Sequence, residues 1–350
     1  MRVCELLPQG IDAALVDDEK NRQYLTGVRS SAGTVVVTRE ETYLIIDFRY
    51  IEMARAAARD CQVLLQDKLC AQIGELFARH GVRSYGVVDS LCSLSKARGW
   101  MEKLPAQLVD GSGFEEVLGG LRMRKSAAEI AKIKAAQALT DEAFQHILGH
   151  IALGKTEREI ALEMEFFIRR QGAEGVSFDF IVVGGQNSSK PHGVPGDYAL
   201  QAGDFLTMDF GCTVDGYCSD MTRTVALGKV SEKQRQIYDI VLKANEIGIA
   251  AAQAGVVCEE VDRASRDYIA SFGYGAQFGH GLGHGVGLDI HEEPRFSPGC
   301  KPALEEGMVI TVEPGIYLPG EFGVRIEDMV VITPQGTEDI THSPKELLLL

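Results

Sequence analysis

Three histidines and five glycines are concentrated in residues 278–294, which read FGHGLGHGVGLDIHEEP. The histidines are His280, His284 and His291. Imidazole binds metal ions and changes its charge near neutral pH. Glycine is a poor helix former, and it lets the backbone approach other groups closely. The stretch is therefore predicted to be a shaped loop or an irregular strand that presents imidazoles. His291-Glu292 opens no HExxH zinc helix, and no register of the glycines forms GxGxxG.

Residues 149–156 match the phosphate-loop pattern GxxxxGK[ST]. A phosphate loop needs a buried strand before it, whereas the residues before Gly149 have helical periodicity. Gly154 is better interpreted as the end of one helix. Thr156, with Glu159 three residues later, is better interpreted as the cap of the next. A nucleotide-binding protein is kept as a minor alternative.

Two carboxylates are expected to converge on one face of a hairpin at residues 205–227. An Asp-Gly dipeptide at 215–216 is a strong signal for a two-residue hairpin turn. In the register that this turn sets, Asp209 lies opposite Thr222. Asp209 and Asp220 are then diagonal neighbours on the same face. A slip of one residue would separate them.

A second strand pair, at residues 308–313 and 323–333, also carries two acids, Glu313 and Glu327. The order helix, helix, loop with histidine, two strands therefore occurs twice after residue 120. This repetition predicts a pseudo-twofold domain in which each half supplies one carboxylate pair.

Four acids in apolar strands need compensating charge, because burial of an unpaired carboxylate is expensive. Arg223 and Arg325 are possible partners within the same segments. Two divalent cations are the alternative, since their charge matches that of four carboxylates. Oxygen ligands with one imidazole suit Mn²⁺, Fe²⁺ or Co²⁺ better than structural zinc.

The composition is that of an ordinary soluble protein with an acidic surface. The 350 residues are 45% hydrophobic and carry a net charge of −15. This charge argues against nucleic acid and anionic membranes as partners. No secretory signal or membrane span is visible, so a cytoplasmic location with reduced thiols is expected. The cysteines form no CxxC and are Cys4, Cys61, Cys70, Cys92, Cys212, Cys218, Cys258 and Cys300.

Residues 1–118 are predicted to form a mixed α/β domain without a catalytic constellation, and Gly119-Gly120 is the predicted boundary. Two β-branched runs separated by a polar turn predict a hairpin. The predicted elements are strands at 33–38, 42–47 and 84–89 and helices near 50–59, 69–80 and 93–103.

Five segments together resemble the M24 metallopeptidases, the family of methionine aminopeptidase, aminopeptidase P and prolidase. They are MDFG at 208–211, SDMTRT at 219–224, GHGVGLDIHE at 283–292, TVEPG at 311–315 and RIED at 325–328. The resemblance implies the α/β pita-bread fold for residues 121–350. It also implies a creatinase/prolidase-type domain for residues 1–118, where YLTG at 24–27 and DFRY at 47–50 are similar to that domain's usual segments.

The resemblance also implies a dinuclear metal site with no ligand missing, which argues against the family's metal-free creatinase. Asp220 and Glu327 would bridge the two ions, and Asp209 would complete the shell of one ion. His284 and Glu313 would complete the shell of the other. The expected ions are Mn²⁺ or Co²⁺, with Fe²⁺ or Zn²⁺ as further possibilities.

The implied chemistry is hydrolysis by a hydroxide-like water that bridges the ions. Glu313 would take its proton, and His291 would stabilise the developing charge on the carbonyl oxygen. His192 would contact the scissile nitrogen or the substrate backbone. The pocket would also be lined by His280, Arg295 and Arg325, with Arg295 binding a substrate carboxylate and Arg325 orienting Glu327 or Asp220.

The expected function is cleavage of the Xaa-Pro bond in dipeptides or at peptide N-termini. The N-terminal domain argues against methionine aminopeptidase, which usually lacks one. The resemblance further implies a homodimer whose N-terminal domain restricts the partner's active site. The main alternative is a non-catalytic interaction protein with the same fold.

Overall fold

A computed structural model of the chain describes residues 7–350 and divides it into two compact units, which meet in sequence at Arg122 and Met123. Cys4 and the first six residues of the predicted N-terminal domain lie outside the described residues. Gly119-Gly120 lies inside a helix, Ser112–Met123, and the division comes at the end of that helix. The boundaries 1–118 and 121–350 stay a prediction.

The first unit is a layered α/β structure. Within residues 7–122, six strands form one mixed sheet in the order β4-β3-β2-β1-β5-β6. The elements are β1 (Ala13–Val16), α1 (Glu19–Thr26), β2 (Thr34–Thr38), β3 (Thr42–Ile46), α2 (Ile51–Ala57), β4 (Gln62–Leu65), α3 (Leu69–Arg79), β5 (Ser84–Val87), α4 (Leu94–Lys103), β6 (Gln107–Leu108) and α5 (Ser112–Met123).

Both faces of this sheet are buried, because successive strand side chains point to opposite faces. Ala14 and Val16 of β1 pack in a cluster with side chains of α1, α2 and α5. Ala13 and Leu15 pack in a second cluster with α3 and α4. Continuous apolar strands of this kind are typical of a sheet covered by helices on both sides.

The second unit contains four long helices that pack in two pairs. Three of them begin with a capping box, and the box predicted at Thr156 and Glu159 is confirmed. Their apolar faces cover separate cores, one for each half of the unit. The helices are α6 (Ala127–Leu148), α7 (Glu157–Arg170), α8 (Glu232–Ala251) and α9 (Cys258–Ser271).

The strands of the second unit form several small antiparallel sheets. The first half contains β7 (Gly175–Val176), β8 (Ile181–Gly184), β9 (Phe205–Phe210), β10 (Cys212–Val214), β11 (Tyr217–Cys218) and β12 (Met221–Ala226). The second contains β13 (Gly283–Gly285), β14 (Glu292–Phe296), β15 (Val309–Val312), β16 (Gly315–Leu318), β17 (Phe322–Arg325), β18 (Asp328–Thr333) and β19 (Gly336–Asp339).

The predicted register of the first hairpin is confirmed. Val214 pairs with Tyr217, and Asp209 pairs with Thr222. The hairpin is interrupted at Gly211, where a Cβ atom would lie 1.9 Å from the carbonyl oxygen of Ser219. A side chain at this position would force the two strands apart, so glycine is needed for Asp220 to sit at the interruption.

The second half repeats this design with strands that the sequence analysis missed, among them β16 in the broken ladder. Strands β15 and β18 pair, and β16 and β17 continue the same ladder after a break. Glu313 lies at the break between β15 and β16, and Glu327 lies opposite, at the break between β17 and β18. The strand Gly315–Leu318 was not predicted, because it follows Pro314 and is short.

Residues 149–156 connect α6 to α7, so the element before this segment is a helix. Thr156 is the N-cap of α7, as predicted. The prediction that Gly154 ends the preceding helix is wrong, because α6 ends at Leu148 with Gly149 as its C-cap, and Gly154 lies in the connecting turn with a φ of +83°. This context does not support a phosphate loop. Among residues 7–350, no helix combines the length and the apolar character needed to cross a bilayer.

Candidate metal centre and substrate cavity

All ten side chains predicted for the site line one cavity of about 670 Å³ in the second unit. The acids are brought there by strand β9 and by the two strand interruptions. Three of the histidines come from β13 and from the loops on either side of it, and His192 comes from the loop between β8 and β9. The ten residues are His192, Asp209, Asp220, His280, His284, His291, Arg295, Glu313, Arg325 and Glu327.

His284 is held on β13 by close backbone packing, as the glycine-rich sequence predicts. A Cβ atom on Gly283 would lie 1.9 Å from the carbonyl oxygen of Thr311, so only glycine allows this approach. The His284 backbone N–H donates to Thr311 Oγ1 at 3.1 Å. The strand therefore sits directly against β15 and aims the imidazole into the cavity.

The protonation of His284 decides the electrostatics of the site. Its Nδ1 lies 3.1 Å from the carbonyl oxygen of Gly285, which can only accept, so Nδ1 carries the proton. Burial lowers the pKa of His284 to about 3, so the ring is neutral. The lone pair of Nε2 then faces Asp220 Oδ2 at 3.5 Å and Glu313 Oε1 at 3.4 Å. The lone pair and the two carboxylates repel one another, so this arrangement indicates that a cation binds between them.

Burial and mutual repulsion raise the pKa of the central carboxyl groups. The pKa of Asp220 is raised by burial first and then by the charges of Glu327, Asp209 and Glu313. The pKa of Glu327 is raised by burial and by Glu313 and Asp209. Burial raises the pKa of Glu313 to about 8, against the opposing effect of Arg325. The cluster is thus short of positive charge.

Arg325 contributes to the site through Asp209. Its Nη2 donates to Asp209 Oδ2 at 2.6 Å, and its Nε donates to Thr222 Oγ1 at 3.0 Å. Its Nη1 donates to Tyr317 O–H at 2.8 Å and to the Pro191 carbonyl at 3.2 Å. Arg325 is 3% exposed. These hydrogen bonds differ from the expected contacts with Asp220 or Glu327, because the β17 register turns the guanidinium towards β9.

Arg223 does not balance the cluster. Its Nη2 donates to Asp328 Oδ1 at 2.6 Å, and both side chains are almost completely buried. Its other hydrogen bonds go to backbone carbonyls of Thr222, Glu327, Ser343 and Pro344. The interpretation in which two arginines neutralise four acids is therefore wrong for Arg223.

His280 and His291 occupy different positions around the cluster. The Nδ1 of His280 donates to the Gly281 carbonyl at 2.8 Å, so its Nε2 accepts from Tyr317 O–H at 2.9 Å. Burial lowers the pKa of His280 to about 4. The ring of His291 lies edge-on to His284, with centroids 4.4 Å apart. Burial and Arg295 lower the pKa of His291, which favours its neutral form.

Two further observations concern a metal at this centre. Asp209 Oδ1 and Asp220 Oδ1 are buried without a hydrogen-bond partner. One ligand atom each of Asp220, His284 and Glu327 lies within 4.8 Å of the others. Buried carboxylate oxygens normally have a hydrogen-bond partner, so these two unpaired oxygens indicate that a ligand such as a metal ion binds there. The donor set, mostly carboxylate with one neutral imidazole, fits divalent ions.

A family model described as "Metallopeptidase family M24" matches residues 131–334, more than half of the chain. The chain belongs to metallopeptidase family M24. A second model, "Creatinase/Prolidase N-terminal domain", matches residues 5–124. The fold class predicted from the sequence, a pita-bread domain with a smaller α/β domain, is thereby confirmed. Membership of M24 also implies divalent metal ions.

Several M24 relatives match over nearly the whole chain. The Xaa-Pro dipeptidase of Pyrococcus horikoshii is 37% identical over 97% of this chain and 95% of its own length. The structure of the Xaa-Pro dipeptidase from Bacillus anthracis has a TM-score of 0.94 at 41% identity, covering 97% of this chain and 96% of that one. The X-Pro aminopeptidase of Thermotoga maritima has a TM-score of 0.92 at 34% identity, with both chains fully covered.

Sequence reasoning missed several residues of this M24 site. Tyr317 connects His280 to Arg325, and Thr222 donates to Glu327 Oε2 at 2.7 Å. Phe178, Phe180 and Ile181 form an apolar part of the cavity wall. The predicted opposition of Thr222 and Asp209 was a usable signal for Thr222. Nothing in the sequence pattern pointed to Tyr317.

A buried ion pair fixes the loop that carries His291 in the M24 domain. Lys125 Nζ lies 3.1 Å from Glu292 Oε2, and the two side chains are 1% and 7% exposed. Lys125→Met would leave Glu292 buried without this partner. We expect the free energy of unfolding to fall by about 3–5 kcal/mol, measured by urea denaturation, and kcat/KM to fall with it.

Lys134→Met is the matched control for Lys125→Met. Lys134 pairs with Glu338 at 2.6 Å, but both side chains are well exposed. An exposed pair contributes about 0–1 kcal/mol, so this variant should remain close to wild type. Equal destabilisation of the two variants would contradict the anchoring role of Lys125.

Proposed function

We propose that the protein is a dinuclear-metal Xaa-Pro peptidase that hydrolyses the bond before proline in dipeptides or at peptide N-termini. The ions would be held by Asp209, Asp220, His284, Glu313 and Glu327. The observation that carries the proposal is the gathering of these five ligands, His192 and His291 around one cavity. The names and similarity of the dipeptidase relatives support the substrate class.

The metal pair is proposed from the chemistry of its donors. Four carboxylates and one neutral imidazole suit Mn²⁺ or Co²⁺, with Fe²⁺ or Zn²⁺ as further options. When bound, the ions would acidify a water molecule and so supply the nucleophile at neutral pH. Arg325 would hold Asp209 in place, because it already donates a 2.6 Å hydrogen bond to that carboxylate.

Glu313 would transfer the proton of the attacking water, and His291 would stabilise the negative charge on the carbonyl oxygen. Burial raises the pKa of Glu313 to about 8 in the metal-free protein. Bound cations would lower this pKa, so the carboxylate would be ionised and free to take a proton. It would accept the proton of the attacking water and pass it to the leaving proline nitrogen. His291 would donate a hydrogen bond to the carbonyl oxygen as negative charge develops there.

The outer part of the cavity would bind the substrate. Phe178, Phe180 and Ile181 offer an apolar surface of the kind that a pyrrolidine ring needs. His192 lies on a loop, is exposed and would contact the substrate backbone. His280 accepts a hydrogen bond from Tyr317 and would form part of the cavity wall without contacting the reacting atoms.

The deciding experiment is hydrolysis of Ala-Pro and of Ala-Pro-Ala by chelator-treated protein before and after addition of Mn²⁺ or Co²⁺. We expect cleavage only after metal addition. The ratio of kcat/KM for the two peptides then separates a dipeptidase from an aminopeptidase. Absence of cleavage from both peptides, with two ions bound per chain, would overturn the proposed function.

Arg295 would select dipeptides by binding the free carboxylate of proline. Its side chain lines the cavity and is 41% exposed, so its guanidinium can reach a ligand. Arg295→Ala should raise the KM for Ala-Pro about 10- to 100-fold, the value of a charge-assisted hydrogen bond. Ala-Pro-amide, which lacks the carboxylate, is the control substrate. An unchanged KM for Ala-Pro would contradict this role.

A further inference from the structure

Helices α6 and α7, with the turn after α6, bring three side chains that could bind a metal ion together outside the substrate cavity. His146 lies in the last turn of α6, His150 follows one turn later, and Glu163 lies on α7. One ligand atom from each of the three lies within 4.8 Å of the others. None of the three lines the substrate cavity, so the cluster has no part in the proposed peptide chemistry.

The geometry is that of a three-ligand site. His146 Nε2 lies 2.7 Å from Glu163 Oε1, and His150 Nε2 lies 3.8 Å from the same oxygen. His150 lies in the turn that follows the end of α6, where its backbone N–H donates to the Ile147 carbonyl at 2.8 Å, and this turn places the two imidazoles side by side. Their ring centroids are 4.2 Å apart. The three side chains thus converge on one point from α6, from the turn after it and from α7.

Each imidazole is oriented by a neighbour. His150 Nδ1 donates to the carbonyl oxygen of His146 at 3.0 Å, which leaves the Nε2 lone pair directed towards Glu163. Metal-binding histidines usually donate their second N–H to a carbonyl or carboxylate in this way. His284 in the substrate cavity has the same arrangement with Gly285. The ring of His146 is stacked on Phe167 at 4.1 Å, which restricts its rotation.

The cluster is open to solvent and carries a negative charge. The side chains of His146, His150 and Glu163 are 19%, 46% and 37% exposed. The hydrogen bond from His146 lowers the pKa of Glu163, so this carboxylate is ionised at neutral pH. Arg170 is the opposing charge nearby, stacked on Phe166 and Phe167 rather than paired with Glu163. An ion can therefore enter and keep water ligands.

We propose that His146, His150 and Glu163 form an accessory binding site for Zn²⁺ that joins α6 to α7. Two imidazoles and one carboxylate, with further positions open to water, are a ligand set that proteins use for zinc. Imidazole-rich sites prefer Zn²⁺, Cu²⁺ or Ni²⁺ over Mn²⁺, whereas the carboxylate-rich cavity suits harder ions. On binding, the Nε2 proton that His146 now donates to Glu163 would move to Nδ1 of the same neutral ring, which frees the Nε2 lone pair for the ion.

The test is equilibrium dialysis of chelator-treated, tag-free full-length protein against Zn²⁺, with wild type compared with Glu163→Gln and His150→Gln. Glu165→Gln is the matched control, because it removes the same charge from the same helix at a position that faces Arg169. We expect wild type and the control to bind one more Zn²⁺ per chain than the two site variants. The ions of the substrate cavity should be equal in all four proteins.

A second measurement separates binding from misfolding and from the proposed peptidase function. In chelator, all four proteins should have nearly the same Tm. Saturating Zn²⁺ should raise the Tm of wild type and Glu165→Gln by more than that of the site variants, because an ion that binds only the folded state stabilises it. Equal stoichiometry in all four proteins would overturn the accessory site, and so would loss of an ion from the control. Neither outcome depends on whether Ala-Pro is cleaved.

Discussion

Replacing Glu313 with glutamine should lower kcat/KM for Ala-Pro by roughly 10²–10⁴-fold, the usual contribution of a general base. The same substitution should stabilise the metal-free protein at alkaline pH. Burial raises the pKa of Glu313 from 4.5 to about 8. The buried, protonated Glu313 therefore stabilises the folded protein fully below pH 4.5, the pKa of this side chain in the unfolded chain. This stabilisation is lost as the pH rises through about 8, the pKa in the folded protein. Glutamine cannot ionise, so it avoids this loss.

The measurement is urea unfolding in chelator between pH 5 and pH 9, together with kinetics in the presence of metal. The stability difference between Glu313→Gln and wild type should grow with pH and reach the order of a few kcal/mol. Glu321→Gln is the control, because Glu321 is an exposed carboxylate paired with Lys233. The assignment fails if Glu313→Gln retains wild-type activity or shows the wild-type pH dependence of unfolding.

Two buried arginines should respond differently to substitution by methionine. Arg325→Met removes the partner of Asp209 inside the cavity, along with hydrogen bonds to Tyr317 and Thr222. Loss of a residue that orients a metal ligand typically costs about 10–100-fold in activity or metal affinity. We expect that loss in kcat/KM for Ala-Pro, and a decrease of about 3–5 kcal/mol in the free energy of unfolding.

Arg223→Met serves as the comparison. Arg223 is as deeply buried, but its ion pair is with Asp328, and it reaches Glu327 only at the backbone carbonyl, so it contacts no ligand side chain of the cavity. It should lose comparable stability while its folded fraction keeps kcat/KM and metal stoichiometry close to wild type. Both variants are measured at a temperature where circular dichroism shows them folded. Equal losses of kcat/KM in the two variants would show that Arg325 acts only through stability.

Local sequence rules predicted a large part of the catalytic unit. The Asp-Gly turn set a hairpin register that placed Asp209 opposite Thr222, and the structure has that pairing. The capping box at Thr156 marked the start of α7. These predictions succeed because a two-residue turn and a helix cap depend on contacts between residues close in sequence.

The fold class and the ten cavity residues were also available from the sequence. The histidines and acids stand next to glycines that the backbone requires, as at Gly283 and Gly211, where a side chain would collide with a neighbouring strand. This combination made the motifs recognisable in the sequence. The chemical roles of these ten residues stay predictions. The experiments with Glu313, Arg295 and Arg325 test them individually.

The partners of charged groups were decided by the tertiary structure alone. Arg223 follows Asp220 by three residues and Arg325 precedes Glu327 by two. Nothing local indicates that Arg325 reaches Asp209 whereas Arg223 reaches Asp328. Each contact joins residues more than 100 positions apart. The pairing follows from how the two halves pack face to face, which no turn or cap determines.

The accessory cluster shows the same limit. His146 and His150 are visible in the sequence as a pair four residues apart at the end of a predicted helix, but Glu163 becomes their neighbour only because α7 packs against α6. Sequence thus determined which residues have the chemistry of ligands and which local structures carry them. Packing decided which of them meet, because the distance between side chains on different elements depends on the whole core that lies between those elements.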